Sequence, residues 1–512
     1  MNIKEAKQQI QNAVRAYLTR DAFGEYCIGV EKQRPILLIG APGIGKTAVM
    51  EQVARELGIN LVAYSMTHHT RQSAVGLPFI ERRVYDGAEY AVSEYTMSEI
   101  IASVYETAET SGIREGLLFL DEINCVSETL APAMLQFLQY KVFGRHRIPD
   151  GWVVVAAGNP PEYNNSVREF DVATLDRLKK VIVEPDYTVW KEYAYQSGVH
   201  GAVLSYLDIK KDHFYTVQST VEGKSFVTAR GWEDLSQMMA LYERLGIPVD
   251  EALVGQYVQH PDIARDFAVY YELYKKYKQE YGVETILEGR AEETLAQTAG
   301  EARFDEKLSL IGMLVDAVSG DIRACLRTED VVTAVYGVLK TLKPALTETP
   351  ERYAELFERC IAGQRQAVET ARKANTLSRE KKRVSEAVVD ILADLRDAVA
   401  KSARGGDCFS VVRAGFEQRA GGLKTQSETV RARLDALFTF AERAYGDGQE
   451  MLILVTNLTL NPDAARFIAT YGCERYYAHN KEALLFERQN DIRLKMQKLR
   501  EEFYTPENEE TL

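Results

Sequence analysis

Five short apolar runs punctuate the first third of the chain: residues 35–39 (PILLI), 60–64 (NLVAY), 117–120 (LLFL), 152–157 (WVVVAA) and 181–183 (VIV). Each is continuous rather than alternating and rich in Leu, Ile and Val, which suits strands buried on both faces. Helix-length segments such as 48–57 and 129–138 separate them. That alternation predicts an α/β fold with a parallel five-stranded sheet. Two stretches interrupt it. Residues 79–95 (FIERRVYDGAEYAVSEY) hold two β-prone arms around Asp86-Gly87, a strong hairpin signal. Residues 138–143 and 145–148 read as the arms of a second hairpin around Gly144.

From about residue 185 the period changes. Ile263, Phe267, Tyr270, Tyr271 and Tyr274 repeat on one helical face, as do Val384, Val388, Ile391, Leu395 and Val399. A mainly helical second half is expected, broken near Gly405-Gly406 and Gly421-Gly422. Residues 451–455 (MLILV) suit either a strand or a buried helix. The basic run 379–383 (REKKR) reads as a solvated helix face, and the tyrosines of 270–277 as helix core rather than a stacking platform.

Composition narrows the function classes. The chain has 512 residues, 46% of them apolar and 27% charged, which is ordinary for globular domains and predicts about three domain-sized units. No apolar run reaches the ~18 residues a membrane span needs. The first twenty residues are polar and helical in pattern, without a signal-peptide core. Six cysteines (27, 125, 325, 360, 408 and 473) stand singly, with no CxxC, as free thiols do in a reducing cytoplasm. A cytoplasmic location is the expectation. The 75 acidic against 62 basic residues give a net charge of −13, which disfavours duplex nucleic acid as a partner.

The chemistry concentrates in three places. Residues 40–47 read GAPGIGKT, a complete G-x-x-x-x-G-K-[ST] pattern between a predicted strand and a helix. Gly40, Gly43 and Gly45 let the backbone of Gly40, Ala41, Pro42, Gly43, Ile44 and Gly45 curl around phosphate oxygens. The N-terminus of the next helix, at Lys46, Thr47 and Ala48, points its positive end at the same anions. Lys46 supplies charge to the terminal phosphates, and the Thr47 hydroxyl can face Mg²⁺. Residues 117–124 (LLFLDEIN) deliver Asp121 and Glu122 to the carboxyl end of a buried strand. Asp121 is placed to hold Mg²⁺ through its water shell, and Glu122 to act as base toward an attacking water. The strand at 152–157 ends in Gly158-Asn159-Pro160-Pro161. There Asn159 either hydrogen-bonds the reacting groups or simply makes a turn.

Together these residues resemble the AAA+ ATPases: GAPGIGKT resembles Walker A, LLFLDEIN Walker B, and Asn159 sensor 1. The two hairpins resemble the helix-2 and pre-sensor-1 inserts of the branch holding MoxR-type ATPases, the magnesium-chelatase ATPase subunit, and McrB- and dynein-like motors. Residues 168–181 (REFDVATLDRLKKV) resemble the MoxR segment ending in LDRF, which makes Arg177 the arginine finger, with Leu178 in place of the family's Phe. Arg168 is a second candidate. Residues 225–235 (SFVTARGWEDL) resemble the sensor-2 motif, placing its arginine at Arg230 after Ala229 rather than the frequent Pro.

The resemblance implies an AAA+ core with its N-terminal helix over 1–185 and a helical lid over 186–280; beyond it, the helical pattern gives a mainly helical C-terminal domain of unknown role over 281–512. The resemblance also implies ATP as substrate, Mg²⁺ as cofactor, and a ring of six identical protomers. The expected work is chaperone-like remodelling or maturation of a protein client, the partner being a protein with a von Willebrand factor A domain. The alternative is a nucleic-acid-directed motor of a restriction or defence system. Residues 67–71 (THHTR) form a pore or interface loop, or a polar surface loop, and the adjacent histidines are poorly disposed for one metal. Arg145-His146-Arg147 is the basic group in this region best suited to contact a client.

Overall fold

The five apolar runs are five strands of one parallel sheet. The computed structural model describes residues 1–68, 70–163, 167, 170–220, 223–402 and 408–481. In chain order the first elements are α1 (Ile3–Leu18), β1 (Ile36–Gly40), α2 (Lys46–Leu57), β2 (Asn60–Ser65), α3 (Arg71–Val75), β3 (Pro78–Tyr85), β4 (Ala88–Tyr95) and α4 (Glu99–Ser111). Next come β5 (Gly116–Asp121), α5 (Ala131–Tyr140), β6 (Val142–Phe143), β7 (His146–Arg147), β8 (Trp152–Gly158), α6 (Val172–Leu175) and β9 (Lys179–Val183). The sheet order is β2-β5-β8-β1-β9, with every pairing parallel.

Alternate residues of these strands feed two cores, which is why the runs are continuously apolar. Leu37, Val62, Leu118, Leu120, Val154 and Ala156 pack on Ile100, Ile101 and Val104 of α4 and on Met134, Phe137 and Leu138 of α5. Ile36, Leu38, Leu117, Phe119, Val153 and Val155 face Ala6, Ile10 and Val14 of α1 and Val49, Met50 and Val53 of α2. Each of the buried Val, Leu, Ile, Phe and Met side chains contributes about 1.5–3 kcal/mol. The register sets Ser65 beside Asp121, and Ile39 beside Gly158. The carboxyl ends of β2, β5, β8 and β1 therefore line up along one rim, where open α/β sheets bind ligands.

Both hairpins form, with one difference. The first pairs β3 with β4 around Asp86-Gly87. The second is much shorter than expected, pairing only Val142–Phe143 with His146–Arg147. Residues 138–140 belong to α5 instead, because Met134, Phe137 and Leu138 face the core at i, i+3 and i+4, and Lys141, at φ 55°, ends that helix.

The chain continues with α7 (Tyr187–Ser197), α8 (Gly201–Ile209), β10 (Thr216–Thr220), β11 (Gly223–Val227), α9 (Ala229–Leu245), α10 (Glu251–Tyr257), α11 (Pro261–Tyr281), α12 (Val283–Leu287) and α13 (Glu293–Glu301). It ends with α14 (Phe304–Glu348), α15 (Tyr353–Lys373), α16 (Arg379–Ser402), α17 (Cys408–Tyr445), α18 (Gln449–Leu460) and α19 (Pro462–Tyr471). The C-terminal region is mainly helical. Residues 451–455 lie in α18, burying Met451, Leu454, Val455 and Leu458 at i, i+3, i+4 and i+7. The REKKR run is exposed at the start of α16.

The expected break at Gly421-Gly422 is absent, for α17 runs through both glycines. Val430, Leu434, Leu437, Phe438 and Ala441 bury one stripe of this helix, which offsets the ~1 kcal/mol that each Gly costs relative to Ala. The other expected break, at Gly405-Gly406, lies outside the described residues.

Two compact units are built from separated segments. One comprises Met1–Val189, Tyr215–Gly231 and Thr333–Phe416; the other comprises Trp190–Phe214, Trp232–Val332 and the described residues from Glu417 onward. Within the first unit, the turn after α15 covers the sheet's β2 edge. The Leu61 N–H donates to the Ala374 carbonyl (3.2 Å), and the Asn375 amide donates to the Leu61 carbonyl (3.2 Å). This satisfies an edge strand that would otherwise invite pairing with another chain. Within the second unit, Tyr206, Trp232 and Phe267 form an aromatic cluster with ring centroids 5.2–5.8 Å apart.

Candidate active site

The loop between β1 and α2 turns through Gly43 (φ 74°) and Gly45 (φ 92°), conformations open to glycine at no steric cost. Gly45 is the N-cap of α2 and has no side chain to cap it, so the first helical N–H groups at Lys46, Thr47 and Ala48 face outward for an anion. Ile44, between the glycines, packs against the apolar core and anchors the loop.

Lys46 folds back over this loop. Its ammonium donates to the carbonyls of Gly40 (2.7 Å) and Ala41 (2.9 Å) and to Asn159 Oδ1 (2.8 Å). Burial is the main cause that pushes its pKa down to about 8. Asp121 opposes that shift, Arg230 reinforces it and Glu122 opposes it. Lys46 therefore remains mostly charged at neutral pH. The Asn159 side chain, with its oxygen committed to Lys46, turns its donor end away from that lysine.

On the neighbouring strand, the Thr47 hydroxyl donates to Asp121 Oδ2 (2.9 Å). A hydroxyl and a carboxylate oxygen converge here as the hard-oxygen donor set that Mg²⁺ takes. Glu122 follows in the left-handed region (φ 56°), a strained position for a non-glycine residue that re-aims its side chain. Its N–H donates to Asp121 Oδ1 (2.9 Å). Its carboxylate accepts hydrogen bonds from the hydroxyls of Ser65 and Thr67, both 3.0 Å away. Sequence alone assigns Ser65 no role and Thr67 only a place in the 67–71 loop, because the β2–β5 register that sets Ser65 beside Asp121, and the turn after β2 that carries Thr67, are not visible in one dimension.

A cavity of about 560 Å³ opens at the same rim, beside Gly40, Ala41, Asn124 and Asn159. The segment around the β10–β11 hairpin braces the loop. The Tyr215 hydroxyl donates to the Pro42 carbonyl (3.0 Å), and the Arg230 N–H donates to the Gly43 carbonyl (3.3 Å). A Cβ on Gly43 would meet the Thr228 side chain at 2.9 Å. Arg230 itself is exposed at the start of α9.

Residues 35–178 match the family model described as AAA domain, dynein-related subfamily. The chain carries an AAA+ ATPase domain. The match takes in the phosphate loop, Asp121, Glu122, Asn159 and Arg177, and leaves Arg230 beyond its end. No curated protein matches the chain.

Arg177 of the AAA domain sits on an exposed turn between α6 and β9, away from the phosphate loop of its own chain in sequence and held by its N–H donating to Thr174 O (3.1 Å). Leu178, where the resemblance expects Phe, is 6% exposed and packs into the core below that turn. Arg168, the second candidate, lies outside the described residues, as do His69 and the side chains of His68 and Arg71.

The Arg145-His146-Arg147 group has partners within the chain. Arg145 pairs with Glu94 (3.0 Å), His146 Nε2 meets the Tyr95 carbonyl (3.0 Å), and Arg147 pairs with Glu31 (3.2 Å). Arg145 and His146 tie the second hairpin to the first, Arg147 ties it to the turn before β1, and both arginines stay about half exposed.

Proposed function

We propose that the site hydrolyses ATP in a ring of six protomers and turns that hydrolysis into remodelling of a protein client, in the manner of MoxR-type ATPases. What carries the reading is the convergence of Lys46, Thr47, Asp121, Glu122 and Asn159 on one rim of the sheet, with Arg177 exposed on a turn outside it. In this reading residues 1–185 form the catalytic core, 186–280 the lid and 281–512 a mainly helical addition, of which the described residues of Thr333–Phe416 pack with the core. The partner proposed for the client side is a protein with a von Willebrand factor A domain.

The phosphates of ATP lie against the N–H groups at the start of α2, with the Lys46 ammonium neutralising their charge. Thr47 and, through water, Asp121 would hold Mg²⁺, which would supply neutralisation of the phosphate charge. Glu122, oriented by Ser65 and Thr67, draws the proton from water as its oxygen bonds to the γ-phosphorus. The bond from that phosphorus to the bridging oxygen breaks, and ADP leaves with the electron pair. Asn159 donates to the reacting groups. Arg230 approaches the γ-phosphate in cis, and Arg177 of the adjacent protomer reaches it in trans, a contact worth roughly 10³–10⁵ in rate in related NTPases.

Complementation tests the ring. Arg177→Ala and Lys46→Ala protomers are each expected to be inactive alone. Mixed in equal amounts they regain activity, since about a quarter of random interfaces pair an intact site with an intact finger. No recovery contradicts the trans finger. Stimulation of turnover by single- or double-stranded DNA contradicts the protein-client reading.

A further inference from the structure

Asn124 closes the LLFLDEIN segment, and its side chain has no assigned task. It lies on the short 3₁₀ turn Ile123–Cys125 that follows Glu122, and is 5% exposed. Its Nδ2 donates to the main-chain carbonyl of Asn159 (2.8 Å). Its Oδ1 is buried without a hydrogen-bond partner. The amide lies flat against Gly158, where any Cβ would collide with it. Burying an amide with its carbonyl unsatisfied costs stability, so a purely structural role would favour an apolar side chain here. The one bond this amide makes is to the residue whose side chain meets Lys46.

We propose that Asn124 is a positioning residue that fixes Asn159 for hydrolysis. Asn159 is then held at two points, its carbonyl by Asn124 and its side-chain oxygen by Lys46 (2.8 Å), which fixes the direction of its Nδ2 donor. The turn that carries Asn124 follows directly from Asp121 at the end of β5 and from Glu122, so one short segment links the carboxylates to Asn159 through one hydrogen bond. Gly158 is required because the amide occupies the space a side chain would take. This inference rests on Asn159 contacting the reacting phosphate or water.

The test is a double-mutant cycle on the full-length chain, with steady-state ATPase rates, binding of a fluorescent ATP analogue and thermal melting. Asn159→Ala is expected to lower kcat roughly 10²-fold, as loss of one preorganised donor does. Asn124→Ala is expected to lower kcat about tenfold or more with nucleotide affinity within about threefold, and Asn124→Ala/Asn159→Ala to match Asn159→Ala alone, since coupled groups are non-additive. Asn124→Asp keeps the side-chain volume and answers should Asn124→Ala fail to fold. Its ionised form cannot donate to the Asn159 carbonyl, so at neutral pH it is expected to lose kcat as Asn124→Ala does, with nucleotide affinity within about threefold. A purely structural role would instead lower the melting temperature with kcat per folded site unchanged. Multiplicative losses in the cycle, or full activity in Asn124→Ala beside an impaired Asn159→Ala, overturn the proposal. Full activity in Asn159→Ala removes the reading of Asn159 and the proposal with it.

Discussion

Two buried lysines separate the chemistry of the molecule from its architecture. Lys46, 8% exposed, donates to two carbonyls and an amide oxygen, and among the described residues no carboxylate lies within hydrogen-bond reach of its ammonium. Lys191, 4% exposed in the other unit, is gripped by both oxygens of Asp208 (2.6 and 2.7 Å) and by Asn457 Oδ1 (2.7 Å). The first lysine is balanced only at a distance, by Asp121 and Glu122, and its charge is open to an incoming anion. The second is neutralised from within and serves to join α7, α8 and α18. Burial alone does not mark a functional cation; the nature of its partners does.

The largest expected effects break this comparison directly. Lys46→Ala should weaken ATP binding by about 100-fold or more while leaving the melting temperature unchanged or higher, because a buried unpaired charge has been removed. Lys191→Ala should do the reverse, breaking a buried ion pair at a cost of about 3–5 kcal/mol in stability while the folded fraction keeps its ATPase rate per site. Calorimetry beside nucleotide titration reads both, and a swap of the two phenotypes ends the distinction.

The pH dependence follows next. With Lys46 titrating near 8, kcat/KM for ATP should hold up to about that pH and then fall about tenfold per unit, as the free enzyme loses the charge that meets the phosphates. The stability sign is opposite. Between about 8 and the ordinary lysine value of 10.5 the unfolded chain binds more protons at this residue, so its contribution to stability rises with pH.

Smaller effects sharpen the contrast further. Tyr215→Phe removes the hydroxyl that holds the Pro42 carbonyl and should raise KM for ATP about three- to tenfold with kcat within twofold. Gly421→Ala, in open space along α17, should stabilise the protein by about 0.5–1 kcal/mol with no effect on turnover.

The sequence reveals those parts of the fold that local patterns dictate. All five strands of the sheet are continuous apolar runs because both faces are covered, and the glycine pattern at 40–47 announces the phosphate loop by its steric demands. Features that depend on distant pairing are not legible. Ser65 meets Glu122 only through the β2–β5 register, and Asn375 reaches Leu61 across 314 positions of sequence. Tyr215 reaches Pro42 from 173 positions away. Arg145, His146 and Arg147 look like a free basic patch in one dimension and gain partners once Glu94, Tyr95 and Glu31 are beside them. At Gly421-Gly422 a local helix-breaking signal loses to the buried stripe that continues along the same helix. Asn124 stood in a recognised motif, yet its task depends on where Asn159 arrives at the end of β8.

Glu122→Gln offers the most direct measurement of the account, with ATP turnover and ATP affinity followed on the same purified protein. The account predicts that turnover falls at least about 100-fold while affinity stays within about threefold, because the amide cannot take the proton from water although the phosphate loop and Lys46 are untouched. Turnover equal to that of the unmodified protein contradicts it.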